Sequence, residues 1–185
     1  MKLLPTAILE VIEIEPDIHL DRRGFFMEAY QSKRYEDSGI RTAFIQDNLS
    51  YSVQGTLRGL HFQHPHSQAK LVQVLKGEIF DAAVDIRRGS PSFGRCVGVL
   101  LSGKDNHQLY IPEGFANGFC VLSETALVYY KCSDFYSPQS EGGVLWSDPD
   151  LRIDWPVKTP VLSEKDSRYR FLRDTLVERL PVYKG

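Results

Sequence analysis

Polar and apolar positions alternate with a period of two through the centre of the chain. The clearest stretch is 78–86, where Phe80, Ala82, Val84 and Ile86 share one face of a strand. Similar apolar runs, punctuated by short Gly-rich polar turns, predict strands at 57–62, 70–75, 97–101, 108–111, 118–122 and 126–131. Upstream, 7–14 reads as an edge strand closed by Pro16. Residues 24–30 read as an aromatic strand entered through the charged turn 21–24. Residues 42–46 form a further strand ending in a polar turn at Asp47-Asn48. Between these, 31–38 predicts a short helix that stops at Gly39. Eight or nine strands with short connections point to an all-β sandwich or closed barrel.

The last third is different. Pro138, Pro149, Pro156 and Pro160 break up 133–168, with Trp146 and Trp155 between them. This pattern predicts irregular chain laid over the strands and anchored by the tryptophans. A terminal helix is expected over 168–180, before Pro181. Without an internal repeat or a linker, residues 1–185 read as a single domain.

Composition narrows the function classes. Lys and Arg number 22 against 24 Asp and Glu, which gives no footing for a general nucleic-acid binder. Cys96, Cys120 and Cys132 are odd in number and sit among apolar neighbours, so they read as reduced core cysteines. The N-terminal stretch takes on three glutamates before any signal-peptide core is complete, and no run has the length of a membrane helix. The expectation is a soluble cytoplasmic protein with no nucleic-acid or membrane partner.

Candidate chemistry concentrates in three places. Three of the five histidines, His61, His64 and His66, fall within 57–66. They fit metal ligation, a general base at His61, or plain packing; strand periodicity and the lack of a matching Cys or carboxylate set weigh against the metal. Arg58 and Lys70 are near enough to give His61 a cationic setting suited to an anionic substrate. Strict alternation nevertheless puts Arg58 and His61 on opposite faces, so both turn inward only with a bulge at Gly59. In 128–131 only one of Tyr129 and Tyr130 can face a cavity, and the compact face of Ala126 and Val128 favours Tyr130. Finally, Asp166 in 162–166 reads either as part of a helix cap begun by Ser163 or as a partner that fixes the His61 tautomer.

At these residues the chain resembles one family, the dTDP-4-dehydrorhamnose 3,5-epimerases. The matching blocks are DRRGFFMEAY at 21–30, FIQDNLSYS at 44–52, LRGLHFQ at 57–63, AKLVQVLKGEIFDAAVDIRRGSPSFG at 69–94, IPEGFANGF at 111–119, YYKCSDFYSPQSEGGVLW at 129–146, and IDWP with LSEKD within 153–166. They run in the family's order over nearly the whole chain. The resemblance implies a cupin-like jelly-roll β-barrel with short peripheral helices. It also implies a homodimer in which the N-terminal segment, about 1–30, is exchanged between subunits.

The implied reaction converts dTDP-4-dehydro-6-deoxy-D-glucose to dTDP-4-dehydro-L-rhamnose without a cofactor or a metal. Carried over by motif, the catalytic set is His61, Tyr130, Asp166 and Lys70. The substrate-binding set is Arg23, Phe26, Glu28, Gln46, Asn48, Arg58, Asn117, Tyr136, Glu141 and Lys165. One position departs from the family pattern IPEGFAHGF, because Asn117 stands where that pattern has histidine. Asparagine hydrogen-bonds but neither carries charge nor shuttles a proton. The alternatives that share these residues are an enzyme epimerising C3 alone or acting on a related nucleotide 4-ketosugar, a non-catalytic sugar-nucleotide-binding barrel, and a metal-dependent cupin.

Overall fold

The computed structural model describes residues 1–184. In chain order the strands are β1 (Lys2–Pro5), β2 (Ile12–Glu15), β3 (Ile18–Asp21), β4 (Gly24–Met27), β5 (Gln46–Val53), β6 (Leu57–Gln63) and β7 (Lys70–Lys76). They continue with β8 (Glu78–Asp85), β9 (Cys96–Ser102), β10 (Gln108–Ile111), β11 (Phe115–Val121), β12 (Thr125–Cys132) and β13 (Glu141–Gly143). The expected short helix is α1 (Ser32–Asp37). Gln31 caps it by accepting from the Arg34 N–H, and Gly39 ends it with φ of 98°.

The chain is all-β as expected, but the strands do not close into a jelly-roll barrel. A six-stranded sheet runs β1-β2-β10-β7-β12-β5, a five-stranded sheet runs β13-β6-β11-β8-β9, and β3 and β4 form a separate hairpin. Among the described residues, no strand is shared by the two large sheets, which end on the open edges β1, β5, β13 and β9. Alternation in sequence demands one buried face per strand. Two stacked open sheets satisfy that demand as well as a closed barrel does.

The core between the sheets joins Val72, Val74, Leu109 and Val128 of the first to Ile79, Ala83, Phe119 and Val121 of the second. The outer face of the five-stranded sheet is also covered. Leu60, Phe62, Ala82, Val84 and Ile86 pack there against Val144, Leu151, Leu172 and Leu180 of the C-terminal third. Burial on both faces explains why every residue of β11 is buried, in a run without polar alternation. Trp155 anchors this cover as anticipated: its ring meets Phe80 edge-on at 5.6 Å, and its Nε1–H donates to the Trp146 carbonyl.

Three local expectations fail. Asp47-Asn48 is not a turn but the start of β5, with Asp47 facing outward to Lys131 and Asn48 inward. Residues 7–11 form bends and a turn, and only Ile12–Glu15 is strand. The C-terminal stretch 168–180 contains only single 3-10 turns, at Asp166–Arg168, Leu172–Asp174 and Val177–Arg179. No helix among the described residues is long and apolar enough to cross a membrane.

Candidate active site

The site begins with an irregularity in β6. Asn117 of β11 faces His61 and Phe119 faces Arg58, so two steps on β11 span three on β6. This is the bulge that regular alternation lacks. Gly59 permits it: its φ is 123°, and a methyl group there would lie 2.6 Å from the Gly118 Cα and 2.8 Å from the Asn117 carbonyl oxygen. Arg58 and His61 consequently line one small cavity of about 130 Å³, together with Lys70, Asn117 and Tyr130.

His61 is held from behind. Its Nε2 stands 2.6 Å from Asp166 Oδ1, and the Asp166 side chain is only 4% exposed. Burial alone would raise the Asp166 carboxyl. Hydrogen bonds from His61, Ser163 and the Gly59 backbone, together with the charge of His61, outweigh it and hold the group below its ordinary range. Ser163 Oγ accepts the Asp166 backbone N–H at 3.1 Å, so the capping role and the partner role of this segment coexist. The Tyr169 ring lies edge-on to the imidazole at 5.9 Å. With Nε2 engaged, Nδ1 is the ring nitrogen left to act on a ligand.

The facing wall belongs to the other sheet. Lys70 opens β7, and Tyr130 sits on β12 with its side chain inward beside Val128. The Lys70 ammonium lies 5.9 Å from the Tyr130 ring centroid and donates to Asn117 Oδ1 at 3.4 Å. Burial pushes the Lys70 ammonium below its usual range against the pull of Cys132, Asp81 and Glu141, and burial raises the Tyr130 phenol.

A larger opening of about 440 Å³ adjoins this chamber and holds Gln46, Asn48, Tyr136 and Glu141 as well as His61, Lys70 and Tyr130. Its polar groups form a chain. Gln46 Nε2 donates to Asn48 Oδ1, Gln46 Oε1 accepts the Tyr136 N–H, the Tyr136 hydroxyl donates to Glu141, and Glu141 also pairs with Lys165 at 2.7 Å. On the other side of His61, a second cavity of about 440 Å³ is bordered by Arg58, Lys165 and Asp166. The rim of both openings is therefore polar, with two cations in reach of an anionic ligand.

Three expected substrate contacts lie elsewhere. Arg23 and Phe26 are on the β3–β4 hairpin, where Arg23 pairs with Asp21 and Phe26 is 72% exposed. Glu28 follows the hairpin and pairs with Arg34. None of the three borders the cavities around His61.

This architecture matches known proteins along its whole length. The family model described as dTDP-4-dehydrorhamnose 3,5-epimerase covers residues 5–174. The chain belongs to the dTDP-4-dehydrorhamnose 3,5-epimerase family. It is 52% identical to the Shigella flexneri enzyme of that name over 90% of this chain and 93% of the relative. It is 44% identical to the Methanothermobacter thermautotrophicus enzyme over 98% and 97%. Among solved structures, the Legionella pneumophila dTDP-6-deoxy-D-glucose-3,5-epimerase in complex with dTDP-4-keto-L-rhamnose superposes with a TM-score of 0.97. Its identity is 51%, over 100% of this chain and 99% of that one.

Several site residues of this family member were not anticipated from sequence. Asp81 is fully buried on β8 and accepts from Asn117 Nδ2 at 2.6 Å. Its signal was an acid on the β8 face shared with Ile79 and Ala83, a face overlooked because the opposite one is uniformly apolar. Gln63 ties down the following loop by donating to the His66 and Phe135 carbonyls and accepting the Ser137 N–H. Cys132 is reduced and buried as expected, but it also lines the larger opening. His64 and His66 lie in a bend outside the chamber, with His66 against Asp134. Among the described residues, no group of three or more His, Cys, Asp or Glu side chains converges to hold a metal ion.

Proposed function

We propose that this enzyme converts dTDP-4-dehydro-6-deoxy-D-glucose to dTDP-4-dehydro-L-rhamnose by inverting C3 and C5 through proton removal and return. The observation that carries the reading is the opposition of His61 and Tyr130. They come from different sheets and line a single chamber, with Lys70 on its wall. Inversion needs a base on one face of the sugar and an acid on the other.

A proton next to a ketone becomes acidic enough to remove only when the enolate oxygen is stabilised. Lys70 supplies that stabilisation at the C4 oxygen, where a well-placed donor is worth about 3–4 kcal/mol of barrier. His61 takes the proton through Nδ1; its ordinary pKa, about 6.5, suits a base at neutral pH. Asp166 holds the ring and stabilises the imidazolium while remaining ionised. Tyr130, kept neutral by the rise in its pKa, returns a proton from the opposite face. A second round at C5 completes the conversion without any cofactor. Gln46, Asn48, Tyr136, Glu141, Lys165 and Arg58 bind the nucleotide diphosphate portion, and Asn117 hydrogen-bonds at the sugar end.

The working form is a homodimer. Arg23, Phe26 and Glu28 point away from the chamber of their own chain, which supports a role in the site of a second copy, with the segment of about 1–30 exchanged between subunits of a single-domain protein. The outward residues Leu49, Tyr51 and Val53 of the edge strand β5 are each more than half exposed and offer apolar surface for such pairing. The reaction belongs in the cytoplasm, where nucleotide sugars are made.

Incubation with dTDP-4-dehydro-6-deoxyglucose in D2O, followed by proton NMR, tests the function. Deuterium at both C3 and C5 with formation of the L-rhamno product is expected. Deuterium at C3 alone would replace this reading with a 3-epimerase, and no exchange by folded, dTDP-binding protein would overturn catalysis.

A further inference from the structure

Asp81 is a fully buried acid that the mechanism above does not use. Its Oδ1 accepts from Asn117 Nδ2 at 2.6 Å, and its Oδ2 has no hydrogen-bond partner. The same Asn117 nitrogen donates to the Ala82 carbonyl at 3.2 Å. Both amide hydrogens are thus directed at acceptors, and the amide oxygen is left toward Lys70 Nζ, 3.4 Å away. Reversing the amide would press its oxygen against a carboxylate and a carbonyl. Resting on the epimerase reading, we infer that Asp81 is a positioning residue that acts through the Asn117 amide to keep Lys70 a charged donor aimed at the substrate carbonyl oxygen.

Charge and geometry agree. Lys70 must stay protonated in a chamber whose burial favours the neutral amine, and Asp81 is one of the few anions near enough to oppose this. The cost appears on the acid itself, whose carboxyl is pushed up to about 7 by burial, with Lys70 and Asn117 pulling it down. Because Asn117 does not titrate, the link works by orientation and field rather than by passing a proton. The other charged or titratable groups facing Lys70 are Tyr130 and Cys132 from β12, His61 and Arg58 from β6, and Glu141 from β13.

The test is a double-mutant cycle on the full-length enzyme, with wild-type exchange at C3 and C5 scored first. Asp81→Asn keeps the shape and removes the charge. It should lower kcat about 30-fold, the scale of one hydrogen bond to a charged group, while KM for the dTDP-sugar changes less than about 3-fold. The alkaline limb of kcat should move to lower pH, since Lys70 loses an anion. Asn117→Leu severs the same link at its middle and should reduce kcat similarly. In a Lys70→Met background neither substitution should lower kcat further. Losses that multiply with Lys70→Met, or an unmoved alkaline limb in both folded variants, would overturn the inference while leaving the epimerase standing. A wild-type enzyme that exchanges neither carbon would instead overturn the reading on which it rests.

Discussion

His61 and Asp166 are 105 residues apart in the chain, yet Nε2 of one and Oδ1 of the other are 2.6 Å apart. A carboxylate can only accept, so this contact assigns the proton to Nε2 and the lone pair to Nδ1. Asp166→Asn removes the charge that stabilises the imidazolium and blurs the tautomer. We expect kcat to fall roughly 100-fold with little change in KM, measured by NMR progress curves. A variant with the wild-type kcat would refute the pairing as functional.

Tyr130 separates removal of the proton from its return. Tyr130→Phe leaves His61, Asp166 and Lys70 in place and deletes only the hydroxyl. Deuterium wash-in at C3 should persist at a substantial fraction of the wild-type rate, while formation of the inverted product drops by about 100-fold or more. Equal losses of exchange and inversion would show that the tyrosine is not simply the returning acid.

How much of this was legible depended on whether neighbours in sequence carried the signal. The inward face of β12 and the alternation of β8 could be read because a strand's period is local. The partner order of the strands could not, since the same alternation serves a barrel or two open sheets. Asp47-Asn48 looked like a turn because β5 is an edge strand whose polar residues meet solvent and the chamber instead of a core. In 168–180, Leu172, Leu176 and Leu180 have helical spacing, but only Leu172 and Leu180 are buried while Leu176 is 58% exposed. Two anchors spaced along the sheet hold that segment extended, where a helix would require all three. Asp166 was visible through its motif; Asp81 was hidden inside an apolar strand.

The bulge at Gly59 predicts a coupling between stability and activity. Gly59→Ala would place a methyl 2.6 Å from the Gly118 Cα at a φ of 123°, both unfavourable. We expect a loss of about 2–4 kcal/mol in urea unfolding and a fall in kcat exceeding that of a surface variant of equal stability loss. Gly118→Ala should act similarly, as its methyl would lie 2.7 Å from the Arg58 carbonyl oxygen. Stable, fully active variants at both positions would contradict the close approach of β6 and β11.

Away from the site, Arg87 is clamped between two carboxylates, donating to Asp85 at 2.7 and 2.9 Å and to Glu10 at 2.6 and 2.8 Å. Burial would raise the Asp85 carboxyl, but bonds from Arg87, Ser90 and Ser92 hold it below the ordinary range. A depressed folded pKa gives stability that is full above the unfolded value of about 3.9 and lost as pH falls through the folded value. Arg87→Met strands a buried acid and should cost about 3–5 kcal/mol at pH 7, with a smaller difference from wild type as pH falls below about 4. Urea unfolding across that range checks it; a difference that widens in acid would reverse the sign.

The exposed hairpin yields the most decisive test of the dimer. If Arg23 serves the partner's chamber, Arg23→Ala and His61→Ala damage different chains of the same site. Each variant alone should be nearly inactive. When the two are unfolded together and refolded as a mixture, a mixed dimer contains one site with His61 from the Arg23→Ala chain and Arg23 from the His61→Ala chain. That site is intact. Random pairing makes half the dimers mixed with one working site of two, so about a quarter of wild-type activity should return. If Arg23 instead serves its own chain, every site in the mixture lacks one residue and no activity returns.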